Sequence, residues 1–247
     1  MFRFFSASLI VATLAASSTL RAADNPAIKP VPREGGWMNR HQSFVDRAKK
    51  GNVDVLFVGD SITQGWEGNG KEVWKEQFAA WKPMNLGIGG DQTQHVLWRI
   101  TTGKELEGIE PKVIVMMIGT NNAGSCTPDQ IAEGVEAIIK SFRTQRPQAK
   151  ILLLGVFPRS GKNPKDLKDP TVASAEELHK KIPQINERIA KFDDGKSVKY
   201  LDIGKVFLDD KGGLPKSVMP DFLHLSKDGY ARWAKAIQKP VDEMLKP

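Results

Sequence analysis

Ser61 stands where an apolar run ends: in Phe57-Val58-Gly59-Asp60-Ser61-Ile62-Thr63 the chain breaks at a glycine and delivers a hydroxyl. A serine just past a strand more often caps a helix or closes a turn. It works as a nucleophile only if the chain also supplies a base, an acid to orient that base, and donors for an oxyanion. Four histidines make the search for the base short. His41 precedes the first apolar run, His95 follows a glycine-rich turn, and His179 falls in a later helical stretch. His224 differs, because Asp221 lies three residues before it in Pro220-Asp221-Phe222-Leu223-His224. One tight turn there lets the carboxylate accept from Nδ1–H and leaves Nε2 to face Ser61 as base. On its own the pair reads rather as a loop histidine beside a capping aspartate.

An ester carbonyl attacked by Ser61 Oγ becomes an alkoxide, and one donor fixed in advance stabilises it by about 3 to 4 kcal/mol. Three donors are candidates: the Ser61 backbone N–H, a backbone N–H in the Gly89-Gly90 turn, and the Asn121 side-chain amide. Glycine turns and asparagines after strands usually serve turn chemistry, so none is diagnostic singly. Cys126 is the only cysteine, which excludes an intrachain disulfide and a cysteine-rich metal site. The Gly89-Gly90 spacing matches neither a P-loop nor a dinucleotide fingerprint, so no cofactor and no metal are expected. A flavodoxin-like flavin or nucleotide binder is disfavoured on the same ground.

These residues need elements to hold them, and the hydrophobic pattern supplies five. Val53 to Val58, Pro83 to Ile88, Val113 to Ile118, Ile151 to Val156 and Val198 to Ile203 are short apolar runs of the kind buried in parallel sheets. Helical spacing falls between and around them, at Met38 to Lys50, Val73 to Trp81, Thr93 to Thr102, from Thr127 and from Ser174 onward, and from Ser226 to the end. Thr127-Pro128-Asp129-Gln130 and Ser174-Ala175-Glu176-Glu177 have the capping-box pattern, and Pro183 should kink the helix it interrupts. The stretch directly after Ser61 reads as a loop holding Gly65, Trp66, Gly68 and Gly70, and the polar stretch Phe157 to Ala173 is expected to lie over the active edge. Strand and helix alternate five times, which predicts an α/β fold: a flavodoxin-like three-layer α/β/α sandwich with a five-stranded parallel sheet, order 2-1-3-4-5. Ser61, the glycine turn and Asn121 then share one edge of the sheet.

The 247 residues suffice for a single good core. The first of them look different from the rest. Met1-Phe2-Arg3 opens a basic segment, Phe4 to Ala16 is uncharged and apolar, and Leu20-Arg21-Ala22-Ala23 offers small residues for cleavage. Residues 1–22 therefore read as a signal peptide, whose 13-residue apolar run from Phe4 to Ala16 is too short to span a bilayer that needs about 20 apolar residues. That implies a secreted or periplasmic protein with no stable membrane insertion once the signal is removed. Residues 23–50, rich in Pro and Gly up to Gly36, read as a loosely held leader followed by a short helix. The whole chain has a net charge of +7, and without Arg3 and Arg21 it retains 34 basic against 29 acidic residues, or +5. The lysines are scattered, densest at Lys162 to Lys168, and not interleaved with aromatics, so no nucleic-acid partner is expected.

Gly59-Asp60-Ser61, the Gly90 turn, Gly119-Thr120-Asn121-Asn122 and Asp221-Phe222-Leu223-His224, in that order, resemble the four signature blocks of the SGNH hydrolases, also called GDSL esterases and lipases. Residues 85 to 99, Asn-Leu-Gly-Ile-Gly-Gly-Asp-Gln-Thr-Gln-His-Val-Leu-Trp-Arg, are similar in particular to the branch formed by the catalytic subunits of intracellular platelet-activating-factor acetylhydrolase. The resemblance runs from about residue 53 to 240 and marks residues 51–247 as an SGNH hydrolase domain. It implies Ser61 as nucleophile, His224 as base, Asp221 as its orienter, and the N–H groups of Ser61 and Gly90 with Asn121 as the oxyanion hole. Ile62 replaces the leucine of the GDSL name, and Asn122 stands where many members have aspartate, as it does in the acetylhydrolase-like branch. The expected activity is hydrolysis of short-chain, chiefly acetyl, esters, with acetylated carbohydrate or phospholipid as the substrate partner and a homodimer allowed but not demanded. A lysophospholipase or acyltransferase on the same triad, or a non-catalytic glycan-binding module, are the alternatives.

Overall fold

Apolar segments too short for a helix and rich in Val, Ile and Leu pair edge to edge here, as they must if their backbone groups are to be satisfied out of water. The computed structural model describes residues 25–159 and 170–246, without the side chains of 170–179. The signal peptide read at 1–22, Lys162 to Lys168, the His179 side chain, the side chains of the Ser174–Glu177 capping box and most of the Phe157–Ala173 segment lie outside the described residues. In chain order the elements are α1 (Gly36–Ala48), β1 (Val55–Gly59), α2 (Ser61–Gln64), α3 (Lys71–Phe78), β2 (Pro83–Gly87), α4 (Thr93–Ile100), β3 (Val113–Met117), α5 (Pro128–Gln145), β4 (Lys150–Leu154), α6 (Pro170–Ile189), β5 (Val198–Leu201) and α7 (Lys227–Leu245). The five strands form one parallel sheet in the order β2-β1-β3-β4-β5. This is the three-layer α/β/α arrangement and strand order expected of the alternation.

Alternate residues of each central strand feed two separate cores. Leu56, Val58, Ile114, Met116, Ile151 and Leu153 pack with the apolar faces of α1, α4, α5 and α6. Val55, Phe57, Val113, Val115, Leu152 and Leu154 pack on the other side against α3 and α7. There Phe78 stacks on Phe57 and on Trp81, at 5.3 and 4.6 Å between ring centroids, with the partly buried Trp74 tilted against Phe57. Both arms of the Thr127 capping box form, with Gln130 N–H donating to Thr127 Oγ1 at 3.2 Å and Thr127 N–H to Gln130 Oε1 at 2.9 Å.

Three expectations change. The stretch after Ser61 is no loop: it makes the single turn of α2 and then a 3₁₀ turn at Gly65–Glu67 that buries Trp66. Helix α6 begins at Pro170, four residues ahead of the Ser174 pattern, and runs on through Pro183 to Ile189. The leader is not loosely held. Asn25 is fully buried, its side chain donating to Gln130 O and Glu133 Oε2, and Ala27 O accepts from Thr93 Oγ1 at 2.8 Å. Val31 N–H donates to Gln94 O, so the prolines of this stretch stiffen a strap across α4 and α5.

Candidate active site

Strand β1 ends at Gly59, paired with Gly87 on one side and Met117 on the other. A side chain on Gly59 would put its Cβ 2.5 Å from the Met117 carbonyl oxygen and 2.2 Å from Thr63 Oγ1, so only glycine lets α2 fold back this closely. Asp60 follows, fully buried, and its Oδ1 accepts from Ile62 N–H at 2.9 Å as the helix cap. Ser61 is then the first residue of α2, held at the sheet edge by its neighbours on both sides.

Asp221 builds the opposite wall with its two oxygens. Oδ1 accepts from the N–H groups of Leu223 at 3.1 Å and His224 at 2.7 Å, which closes the turn and places Phe222 at φ 61°. Oδ2 accepts from His224 Nδ1 at 2.7 Å. The ring's other nitrogen, Nε2, lies 2.9 Å from Ser61 Oγ. Burial raises the Asp221 carboxyl, but the hydrogen bonds from the His224 ring and the two backbone N–H groups outweigh it and hold it below the usual range. Whatever this group adds to stability is complete above its ordinary value of 3.8 and lost as pH falls through the lower folded value. The His224 side chain is 43% exposed, so the relay opens to solvent and to a substrate.

The glycine turn meets Ser61 from the β2 side. A Cβ on Gly89 would lie 3.8 Å from Ser61 Cβ, and Gly89 N–H donates to Gln64 Oε1 in α2 at 2.7 Å. From the β3 side, Asn121 Nδ2 donates to Asp91 O at 2.9 Å, and this leaves the second hydrogen of that amide for another acceptor. Asn122, fully buried, accepts from Thr93 N–H and donates to Thr93 Oγ1 and Gln94 Oε1, stitching the same two loops together. Among the described residues neither Ser61 N–H nor Gly90 N–H has an acceptor. Ser61, His224 and Asp221 are thus hydrogen-bonded in a row, while the glycine turn and Asn121 are tied to each other and to α2.

Two other histidines, His41 and His95, are placed elsewhere. His41 Nδ1 lies 2.7 Å from Glu105 Oε1 in a buried cluster, and His95 Nδ1 accepts from Gln92 N–H at the start of α4. Cys126 is buried in the loop before α5. Sequence reasoning passed over three charged residues beside the site. Asp60 is fully buried, its Oδ2 has no partner among the described residues, and that burial pushes its carboxyl up to about 7. Arg159, after β4, donates to Thr120 O at 3.3 Å and Thr120 Oγ1 at 3.2 Å; burial lowers its guanidinium while the carboxylates of Asp60 and Asp221 pull it back up. Asp91, also fully buried, accepts from Trp37 Nε1 at 2.7 Å and lies 2.9 Å from Arg99 Nε. The signals were there in part, since Asp60 sits in the capping position of α2 and Arg159 follows β4 by five residues.

A hydroxyl, an imidazole and a carboxylate in series at the carboxyl edge of a parallel sheet can carry out nucleophilic acyl transfer. That is the chemistry of the group the sequence matches. Residues 57–232 fit the model of the GDSL-like Lipase/Acylhydrolase family. The alpha2 subunit of platelet-activating factor acetylhydrolase IB from Rattus norvegicus is 38% identical over 226 residues, covering 90% of this chain and 92% of that one. The chain belongs to the GDSL-like lipase/acylhydrolase family and is an ester hydrolase. The fold is also that of a GDSL-like lipase from Bacteroides thetaiotaomicron, with a TM-score of 0.62, 18% identity, and coverage of 92% of this chain and 98% of that one. A carbohydrate acetylesterase family member from Sinorhizobium meliloti shares it at a TM-score of 0.59 and 15% identity, covering 78% and 99%.

Proposed function

We propose that the protein is an exported serine esterase that removes short acyl groups, acetyl above all, through an acyl-enzyme intermediate. Ser61 Oγ attacks the ester carbonyl as His224 Nε2 takes its proton, and Asp221 holds the ring and balances the imidazolium that forms. His224 then gives the proton to the departing alcohol. Water, activated by the same ring, releases the acid and restores the serine. The Ser61 and Gly90 N–H groups and the Asn121 amide receive the oxyanion. The observation that carries this reading is the unbroken series from Ser61 Oγ through His224 to Asp221, at 2.9 and 2.7 Å. Acetylated carbohydrate is the substrate class we favour, because the apolar, cleavable character of residues 1–22 suits an exported protein that meets such material outside the cytoplasm. Identity to platelet-activating factor acetylhydrolase subunits supports a second substrate class, an acetylated phospholipid.

Labelling with a fluorophosphonate, followed by mass spectrometry of the digest, tests the nucleophile. The label is expected on the peptide holding Ser61, with no labelling of Ser61→Ala; modification at any other serine would overturn the assignment. Comparing kcat/KM on acetylated xylan oligomers and on an acetyl phospholipid then separates the two substrate classes.

A further inference from the structure

The glycine turn presents its backbone unevenly. The N–H groups of Ile88, Gly89 and Asp91 each donate within the protein, to Gly59 O at 3.3 Å, Gln64 Oε1 at 2.7 Å and Ile88 O at 3.1 Å. The N–H of Gly90 alone among these has no acceptor among the described residues. What faces the turn from outside is Arg33, a residue of the strap. Its Nη1 donates to Gly89 O at 2.8 Å and to Asp91 Oδ1 at 3.3 Å. Gly90 lies at φ +75°, and a Cβ there would come within 3.2 Å of the same guanidinium nitrogen.

The carbonyl of Gly89 and the N–H of Gly90 belong to one planar, trans peptide, so they point in opposite directions. A cation that grips the oxygen therefore sets the direction of the hydrogen on the far side. It also draws electron density toward the oxygen, which makes that N–H a stronger donor. Asp91 keeps the guanidinium in place and is itself anchored by Trp37 and Arg99.

We propose that Arg33 is a positioning residue for the oxyanion hole. It clamps the Gly89-Gly90 peptide from behind so that Gly90 N–H is already aimed where the carbonyl oxygen gains charge. This rests on the esterase reading above and extends it to the N-terminal strap. Arg33 touches no reacting atom, so its loss leaves ground-state binding intact and weakens only the stabilisation of the charged intermediate.

The test uses the protein with its strap intact and p-nitrophenyl acetate as substrate. Arg33→Ala is expected to lower kcat by about tenfold or more, short of the 10²–10³ seen when a whole donor is deleted, with KM nearly unchanged. Methylguanidinium added to that variant should restore part of the lost kcat. Arg33→Lys, which keeps one cationic donor, should fall between the wild type and the alanine variant. An unchanged kcat, a loss confined to KM, no response to methylguanidinium, or a lysine variant no better than alanine would each overturn the proposal. Fluorophosphonate labelling in parallel keeps the two failures apart. If Ser61 is labelled while Arg33→Ala turns over normally, only the Arg33 inference falls; if Ser61 is never labelled, both fall.

Discussion

Asp60 is a carboxyl group with one oxygen satisfied and the other buried with no donor among the described residues. Burial is the main reason it is pushed up to about 7; the Ile62 N–H opposes the shift, Asp91 adds to it, and His224 and Arg159 oppose it. Between its ordinary value of 3.8 and about 7 the folded protein holds a proton that the unfolded chain releases. Stability on this account declines as pH rises through that window and levels off above it. Asp60→Asn retains an oxygen to cap Ile62 and cannot ionise, so its melting temperature should lose this decline and exceed that of the wild type at pH 8. Parallel Tm-against-pH curves for the two proteins would show that Asp60 is not the source. Among single residues, Ser61, Asp221 and His224 were legible because each lies in a short contiguous motif, and a three-residue spacing already tells which turn the carboxylate can close. Arg33 was not legible. Its partner is a backbone oxygen 56 residues away, and no local pattern encodes that meeting.

At the scale of elements, the junction of β1 and α2 is the most confined. Gly59→Ala places a methyl group against the Met117 carbonyl, which belongs to the sheet and cannot yield as a side-chain tip can. Chemical denaturation should register a loss of about 1 to 3 kcal/mol, and kcat should drop because Ser61 moves with the junction. A variant of unaltered stability would mean that the strand end has more freedom than the packing indicates. The strands and longer helices could be read from periodicity, because each is long enough to repeat its pattern and is buried on a defined side. A four-residue helix repeats nothing, so α2 was taken for loop. The strap was misjudged for a related reason: its prolines and glycines signal departure from regular structure, but flexibility is a separate matter, and buried Asn25 decides it.

Across the whole molecule, helix α7 is pinned to the site within one of the two cores. Tyr230, buried on α7, donates its hydroxyl to Ile62 O in α2 at 2.6 Å, and its ring packs 4.5 Å from that of Trp66. Tyr230→Phe leaves that carbonyl without its donor in a dry setting, and should cost about 1 to 2 kcal/mol in urea unfolding. No measurable change would show that α7 docks by apolar contact alone. The sheet order followed from alternation together with the general preference of such folds, whereas the pinning of α7 onto α2 depends on tertiary packing that periodicity does not report. His224 lies just ahead of this helix, 163 residues after the hydroxyl it meets. A ribosome making this protein therefore releases Ser61 long before the imidazole exists. On the proposed mechanism the nascent chain carries an inert alcohol for most of its synthesis, and hydrolytic power arrives only when the segment bearing His224 is in place.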